Sequence, residues 1–333
     1  MSIFINKQGI FDTIQDDGRY GFQHLGINPG GVMDTVAAAV ANMLVGNKID
    51  LPVIELHFPA SSIIFNESCL MALSGADFSA TINNEPALLN TAIIVTASSA
   101  LIFSKYKKGA RCYLAVYGGW NAVRWLNSYS TNTQVHAGGF NGGALKKNDM
   151  IHFHKKQTLI NRFSLQSHFI TSIRIDSTSF YSSENKIRCI KGMQYNWLND
   201  SSKNSFVTTL FKITANSNRM GYHLSGEKLF ASTSKQLLST AVTKGAIQLL
   251  PDGGLILLMA DHQTTGGYPV IANVISTDIP SLAQIQPGTS IQFRFIDIEE
   301  AEILYIQQQE NLLRLQDACN LQLRQFFNTD DFN

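Results

Sequence analysis

The chain has 333 residues, enough for one large domain or two of ordinary size. Only 15% of them are charged, against roughly 25% in an average soluble domain, so extensive burial is expected, inside the fold or against partner chains. With 26 Lys+Arg against 25 Asp+Glu there is no global field to recruit nucleic acid or anionic lipid, and neither is expected as a partner.

The amino-terminal "MSIFINKQGIF" lacks the basic and long apolar regions of a secretory signal, and no apolar run approaches the ~20 residues that span a bilayer. Cytoplasmic residence is the default expectation. Cys69, Cys112, Cys189 and Cys319 are scattered without CxxC spacing, which argues against a disulfide framework. The same scatter, with no HExxH or comparable spacing, leaves no metal expected. A GxSxG nucleophile elbow is also missing, so Ser-His-Asp chemistry has poor support.

Taken in chain order, residues 11–34 ("FDTIQDDGRYGFQHLGINPGGVMD") set Gln15, Asp16, Asp17, Arg19 and His24 among five glycines, which permit close backbone approach to a ligand. Arg19 has the fork geometry for a carboxylate or phosphate, or it pairs with Asp16 or Asp17 inside a structural loop. "MDTVAAAVANMLVGN" (33–47) predicts a helix capped by Asp34 and stopped at Gly46-Asn47, with Val36, Val40, Met43 and Leu44 on one face. Short strands follow in 69–89, with a tight turn at Asn83-Asn84. Residues 100–119 read as strand, basic hairpin turn around Gly109, and strand.

"GGFNGG" (138–143) has no following Gly-Lys-Ser/Thr and no following helix, so it reads as a glycine-rich turn and not as a phosphate loop. The Ser/Thr/Asn-rich tract from Thr171 to Asn185 lacks periodicity and is expected to join two halves. Arg219 stands beside glycines and Tyr222 in "NSNRMGYHLSG" (216–226). "GAIQLLPDGGLILLMA" (245–260) is a hairpin about Pro251-Asp252-Gly253-Gly254. Between that hairpin and "VIANVI" lies the polar string "DHQTTGGYP" (261–269), whose groups need partners from the fold or from a ligand. "SIQFRFIDI" (290–298) alternates as a strand. A last helix from Glu299 toward Phe327 carries Leu312, Leu315, Cys319, Leu323 and Phe326 at helical spacing. The reading is a mainly β chain with a few helices: β-rich units over 1–165 and 186–298, then a helix over 299–328.

The blocks 13–47, "YLAVYGGW", "STNTQVHAGGFNGGALKKND", "NRMGYHLSG" and 245–288, in that order, resemble the biotin-dependent carboxyltransferase-like family. That family holds the C subunits of 5-oxoprolinases, allophanate hydrolase subunit 2 types and the second carboxyltransferase half of urea carboxylases. The resemblance covers roughly residues 3–305. It implies two cyclophilin-like β-barrel units, a partner chain of related fold (the B subunit) and a third chain (the A subunit). It also implies ATP-dependent opening of 5-oxoproline to glutamate by the three together. Biotin enters only under an alternative, carboxyl transfer to a urea-like amide; a further alternative is a non-enzymatic regulator that binds a kinase inhibitor.

Under the main expectation Arg219, Asp261, Gln263 and Tyr268 are the catalytic candidates. Gln15, Arg19, Tyr222, Gln248, Thr264, Thr265, Gly266 and Gly267 are the substrate-binding candidates. Three places depart from the family pattern: Lys191-Gly192-Met193-Gln194 replaces a Pro-Gly-Pro-Glu turn, Tyr129 stands where an arginine is usual, and Asn218 where an aspartate is common.

Overall fold

The computed structural model describes residues 1–157, 160, 168–182, 184–233, 235–329 and 332. The chain is mainly β and divides into two compact units, each discontinuous in sequence. Unit 1 comprises Met1–Gly18, Asp34–Thr178 and Glu310–Asn333; unit 2 comprises Arg19–Met33 and Ser179–Gln309. The glycine-rich stretch read as one loop is therefore shared between them, which contiguous boundaries did not anticipate.

Unit 1 is built on two six-stranded sheets. One runs Met150–His152, Ser2–Lys7, Ser62–Phe65, Ala100–Phe103, Ala80–Ile82, Glu85–Pro86. The other runs Phe169–Arg174, Thr91–Val95, Cys69–Asp77, Lys108–Val116, Val53–His57, Thr13–Gln15. Alternating residues of both sheets, among them Ile3, Ile63, Leu101, Met71, Ile93 and Leu114, meet in a single buried cluster, as the period-2 geometry of strands demands.

Helix α1 (Thr35–Leu44) follows the predicted cap: the Asp34 carboxylate accepts from Ala37 N at 2.9 Å. Val36, Val40, Met43 and Leu44 are fully buried, each contributing about 1.5–3 kcal/mol of apolar burial. The predicted turn at Asn83-Asn84 joins Ala80–Ile82 to Glu85–Pro86, with both asparagines in the left-handed region (φ 52° and 72°).

Two expectations in this unit fail. Residues 104–107 do not close a hairpin, because Ala100–Phe103 and Lys108–Val116 belong to different sheets. Gly109, at φ 83°, sits instead where the register of the second strand shifts against Cys69–Asp77. Nor is the tract beginning at Thr171 a mere connector: Phe169–Arg174 is an edge strand paired with Thr91–Val95. Its alternation is blurred because the polar Thr171 lies on the buried face and the apolar Ile170 on the open one.

Unit 2 contains a closed seven-stranded barrel, in the order Lys186–Lys191, Val270–Val274, Ala246–Leu249, Leu255–Leu258, Gly221–Ser225, Phe211–Ile213, Ser290–Phe295. The last strand closes on the first in parallel, while the other pairings are antiparallel. The Pro251–Gly254 turn forms the predicted hairpin, with Gly253 at φ 83°. Helix α2 (Asp200–Thr208), capped by the Asn199 side chain on Ser202 N at 2.7 Å, lays Phe206 flat on Phe293 with centroids 4.8 Å apart.

Helix α3 (Ile279–Ala283) starts beside Asp278, which is 1% exposed and takes a bidentate bond from Arg188 on the first barrel strand. Helix α4 (Ile298–Phe327) realises the predicted final helix, burying Leu312, Cys319, Leu323 and Phe327. Phe326 instead stacks on Phe169. Among the described residues no helix is long and apolar enough to cross a membrane.

Candidate functional site

The polar string 261–269 leaves the barrel after Leu255–Leu258 and returns as Val270–Val274. Strand alternation explains what it covers. Ile247 and Leu249 point into the barrel core, so Ala246 and Gln248 face the outer wall. There Thr265–Gly266 pairs with Thr240–Ala241 as a two-stranded ribbon, and Val242 N donates to the Thr264 carbonyl. The ribbon lies over Gln248, which is fully buried. A Cβ on Gly266 would stand 2.6 Å from Gln248 Nε2, so a larger residue here would have to displace the Gln248 amide.

Gln248 is held loosely. Its Nε2 donates to the Tyr268 carbonyl at 3.5 Å and its Oε1 accepts from Gln263 Nε2 at 3.4 Å, both longer than the usual 2.7–3.2 Å. Next to the ribbon is a cavity of about 140 Å³ lined in part by Gln194, Thr240, Thr243 and Asn273. The Lys191–Gln194 departure borders it: Gln194 Oε1 accepts from Val270 N, and Met193 stands 92% exposed.

The base of the string is clamped. Arg219 donates to Asp261 through Nε at 2.8 Å and a terminal nitrogen at 3.0 Å, and that nitrogen also reaches the Gly31 carbonyl at 2.6 Å. Asn28 donates to the Asp261 carbonyl, and Lys244 to the carbonyls of Val32 and Met33. Arg219 and Asp261 thus join the 19–33 loop to the string, within unit 2. The guanidinium of Arg219 is engaged in this clamp.

Beyond the clamp, burial pushes the His262 pKa below its ordinary 6.5, against the bond to Gln263, so the ring is neutral at pH 7. Its Nδ1 lies 2.6 Å from the Gln263 carbonyl, and since a carbonyl only accepts, Nδ1 carries the proton. Gln263, Thr265 and Tyr268 are exposed. They supply an amide, a hydroxyl and a phenol able to bind a small polar ligand.

The remaining candidates lie elsewhere. Tyr222 points into the barrel core, 3% exposed, because it alternates with the outward His223. Arg19 is 1% exposed in unit 2, its N–H bonded to the Pro29 carbonyl. Gln15 belongs to unit 1, where its Nε2 donates to Thr13 Oγ1 at 3.0 Å and its buried Oε1 has no partner among the described residues.

Beside Gln15 is a constellation that sequence reasoning missed. The buried Asp16 carboxylate accepts from Ser128 Oγ at 2.6 Å, Ser130 Oγ at 2.5 Å, Tyr129 N at 2.5 Å and Gly18 N at 2.9 Å. "SYST" was visible in the sequence, but nothing local to it marks its partner more than a hundred residues away. Among the described residues no group of three or more His, Cys, Asp or Glu is placed to hold a metal.

With this geometry in view, the comparisons are specific. Residues 25–295 match the family described as carboxyltransferase domain, subdomain A and B. The chain belongs to that family. Its relatives include the 5-oxoprolinase C subunit of Escherichia coli, 33% identical over 89% of this chain and 92% of that protein. The Haemophilus influenzae protein of the same name is 32% identical over 87% and 89%. Urea amidolyase of Lachancea kluyveri is 27% identical over 94% of this chain, which spans only 18% of that protein. Among solved structures, the urea amidolyase of K. lactis superposes with a TM-score of 0.85 at 25% identity, over 94% of this chain and 20% of that one.

Proposed function

We propose that this family member is the C subunit of a 5-oxoprolinase, working with the A and B chains of that enzyme to open 5-oxoproline to glutamate at the expense of ATP. The observation that carries the reading is the identity to two bacterial proteins of that name along nearly their whole lengths. In this reading Gln263, Thr265 and Tyr268 contact the substrate, and the Arg219–Asp261 clamp fixes where they stand.

A lactam is a stable amide, and its opening requires donors aimed at the oxygen on which charge develops. The exposed amide, hydroxyl and phenol are such donors. ATP supplies the phosphoryl group that activates the lactam oxygen. The cations of the clamp suit a triphosphate poorly, because Arg219 is engaged by Asp261 and Gly31, and Lys244 by two backbone carbonyls. This reading therefore assigns nucleotide contacts to the partner chains. The test is glutamate release from 5-oxoproline and ATP by the reconstituted three-chain complex. Release should vanish when this chain alone is omitted, and release that persists without it removes the chain from the enzyme.

A second reading has its own support in the likeness to the urea amidolyases. There the same fold would carry carboxyl transfer from a biotinylated carrier to a urea-like amide. Bicarbonate- and biotin-dependent consumption of urea, with no glutamate release, would favour it.

A further inference from the structure

Unit 1 holds a cavity of about 330 Å³, within the range of small-molecule sites and separate from the residues discussed above. Its apolar walls are Phe11 and Phe140. Phe11 is braced edge-on against His57, and Phe140 packs on the core of the unit. The glycine-rich turn that the phosphate-loop reading left unexplained builds this wall. Gly142 is at φ 63°, and a Cβ there would overlap the His136 carbonyl, so the turn folds tightly around Phe140 only with glycine at this position.

The polar lining consists of Thr133, His136, Asn141 and Lys146, and none of these four side chains has a hydrogen-bond or ion-pair partner among the described residues. The remaining charge on the lining, Asp149, is already occupied at Oδ2 by the backbone N–H of Lys146 at 2.7 Å. An ammonium, an imidazole, an amide and a hydroxyl thus share the lining of a ligand-sized space with two phenyl rings. A carboxylate satisfies the ammonium, a ring fills the space between the phenyls, and a polar ring substituent meets the amide.

We propose that this cavity binds a small cyclic carboxylic acid, with Lys146 on the carboxylate and Asn141 on a polar ring atom. That 5-oxoproline is the acid bound rests on the function proposed above. The test is isothermal titration of the full chain with 5-oxoproline, with cyclopentanecarboxylate, which lacks the amide, and with inorganic phosphate. The lysine is exposed, so Lys146→Ala leaves the fold intact. It should weaken carboxylate binding about tenfold or more, the usual loss for a charge-assisted bond. Asn141→Gly suits the left-handed backbone (φ 52°) and should weaken 5-oxoproline but not cyclopentanecarboxylate.

Binding unchanged in Lys146→Ala, no binding of either acid by the wild type, or preference for phosphate would each overturn the site. Glutamate release by the reconstituted complex, with no Lys146-dependent binding of either acid to the chain, removes the cavity while leaving the function standing. Lysine-dependent binding of the acids by a chain whose complex releases no glutamate keeps the cavity and removes the function.

Discussion

The Arg219–Asp261 clamp is asymmetric, and the asymmetry gives a sharp prediction. The Arg219 side chain is 6% exposed and that of Asp261 is 22% exposed. Deleting the carboxylate strands a buried guanidinium, and breaking a buried pair costs roughly 3–5 kcal/mol. Deleting the arginine leaves a carboxylate that water can partly reach, so solvent screening reduces that loss to about 2 kcal/mol. Asp261→Ala should therefore destabilise unit 2 by about 3–4 kcal/mol, more than Arg219→Ala does. The double variant should be little worse than Asp261→Ala alone, giving a coupling of about 2 kcal/mol. Urea unfolding of the four proteins measures the cycle, and amide exchange across 261–269 shows whether the string itself loosens. A coupling below about 0.5 kcal/mol, or a milder effect for Asp261→Ala than for Arg219→Ala, would refute this reasoning.

Further predictions follow from buried groups. Burial pushes the Asp12 carboxyl up to about 6 from its ordinary 3.8, outweighing donors from His57 and Ser61. The folded chain then binds a proton more tightly than the unfolded chain. The stability this group contributes, about 3 kcal/mol, is fully present below pH 4 and is lost as pH rises through about 6. Asp12→Asn should flatten that part of the stability–pH curve, and an unchanged slope would contradict the assignment. The four cysteines are all buried; burial raises the Cys189 and Cys319 thiols to about 12 and those of Cys69 and Cys112 well above their ordinary 9.0. A thiol reagent should label the native chain negligibly and all four cysteines after unfolding. Rapid labelling of the native chain would show that a cysteine is accessible.

Local chemistry was legible wherever it alone decides the structure. Asp34 and Gly46 bracketed α1, the Pro251–Gly254 turn marked its hairpin, and the apolar spacing from Leu312 to Leu323 announced α4. What stayed hidden depends on pairings distant in sequence. The strands flanking 104–107 look like a hairpin until each is claimed by a different sheet. Asp16 meets Ser128 and Ser130 across more than a hundred residues, and Tyr222 turns inward because of the strand it occupies. The polar string 261–269 was visible as an anomaly, and part of its cause is now plain: it covers the buried amide of Gln248 on the barrel's outer wall. Arg219 stood out by residue type, but its commitment to Asp261 and Gly31 emerges only in the folded loop.

The central claim is that this chain serves lactam opening. The most direct measurement is ATP hydrolysis by the reconstituted complex with 5-oxoproline or urea as the acceptor, the latter with bicarbonate and a biotinylated carrier present. The account predicts turnover coupled one-to-one to glutamate release with 5-oxoproline, and none with urea. Turnover with urea that requires the carrier, and none with 5-oxoproline, would contradict it.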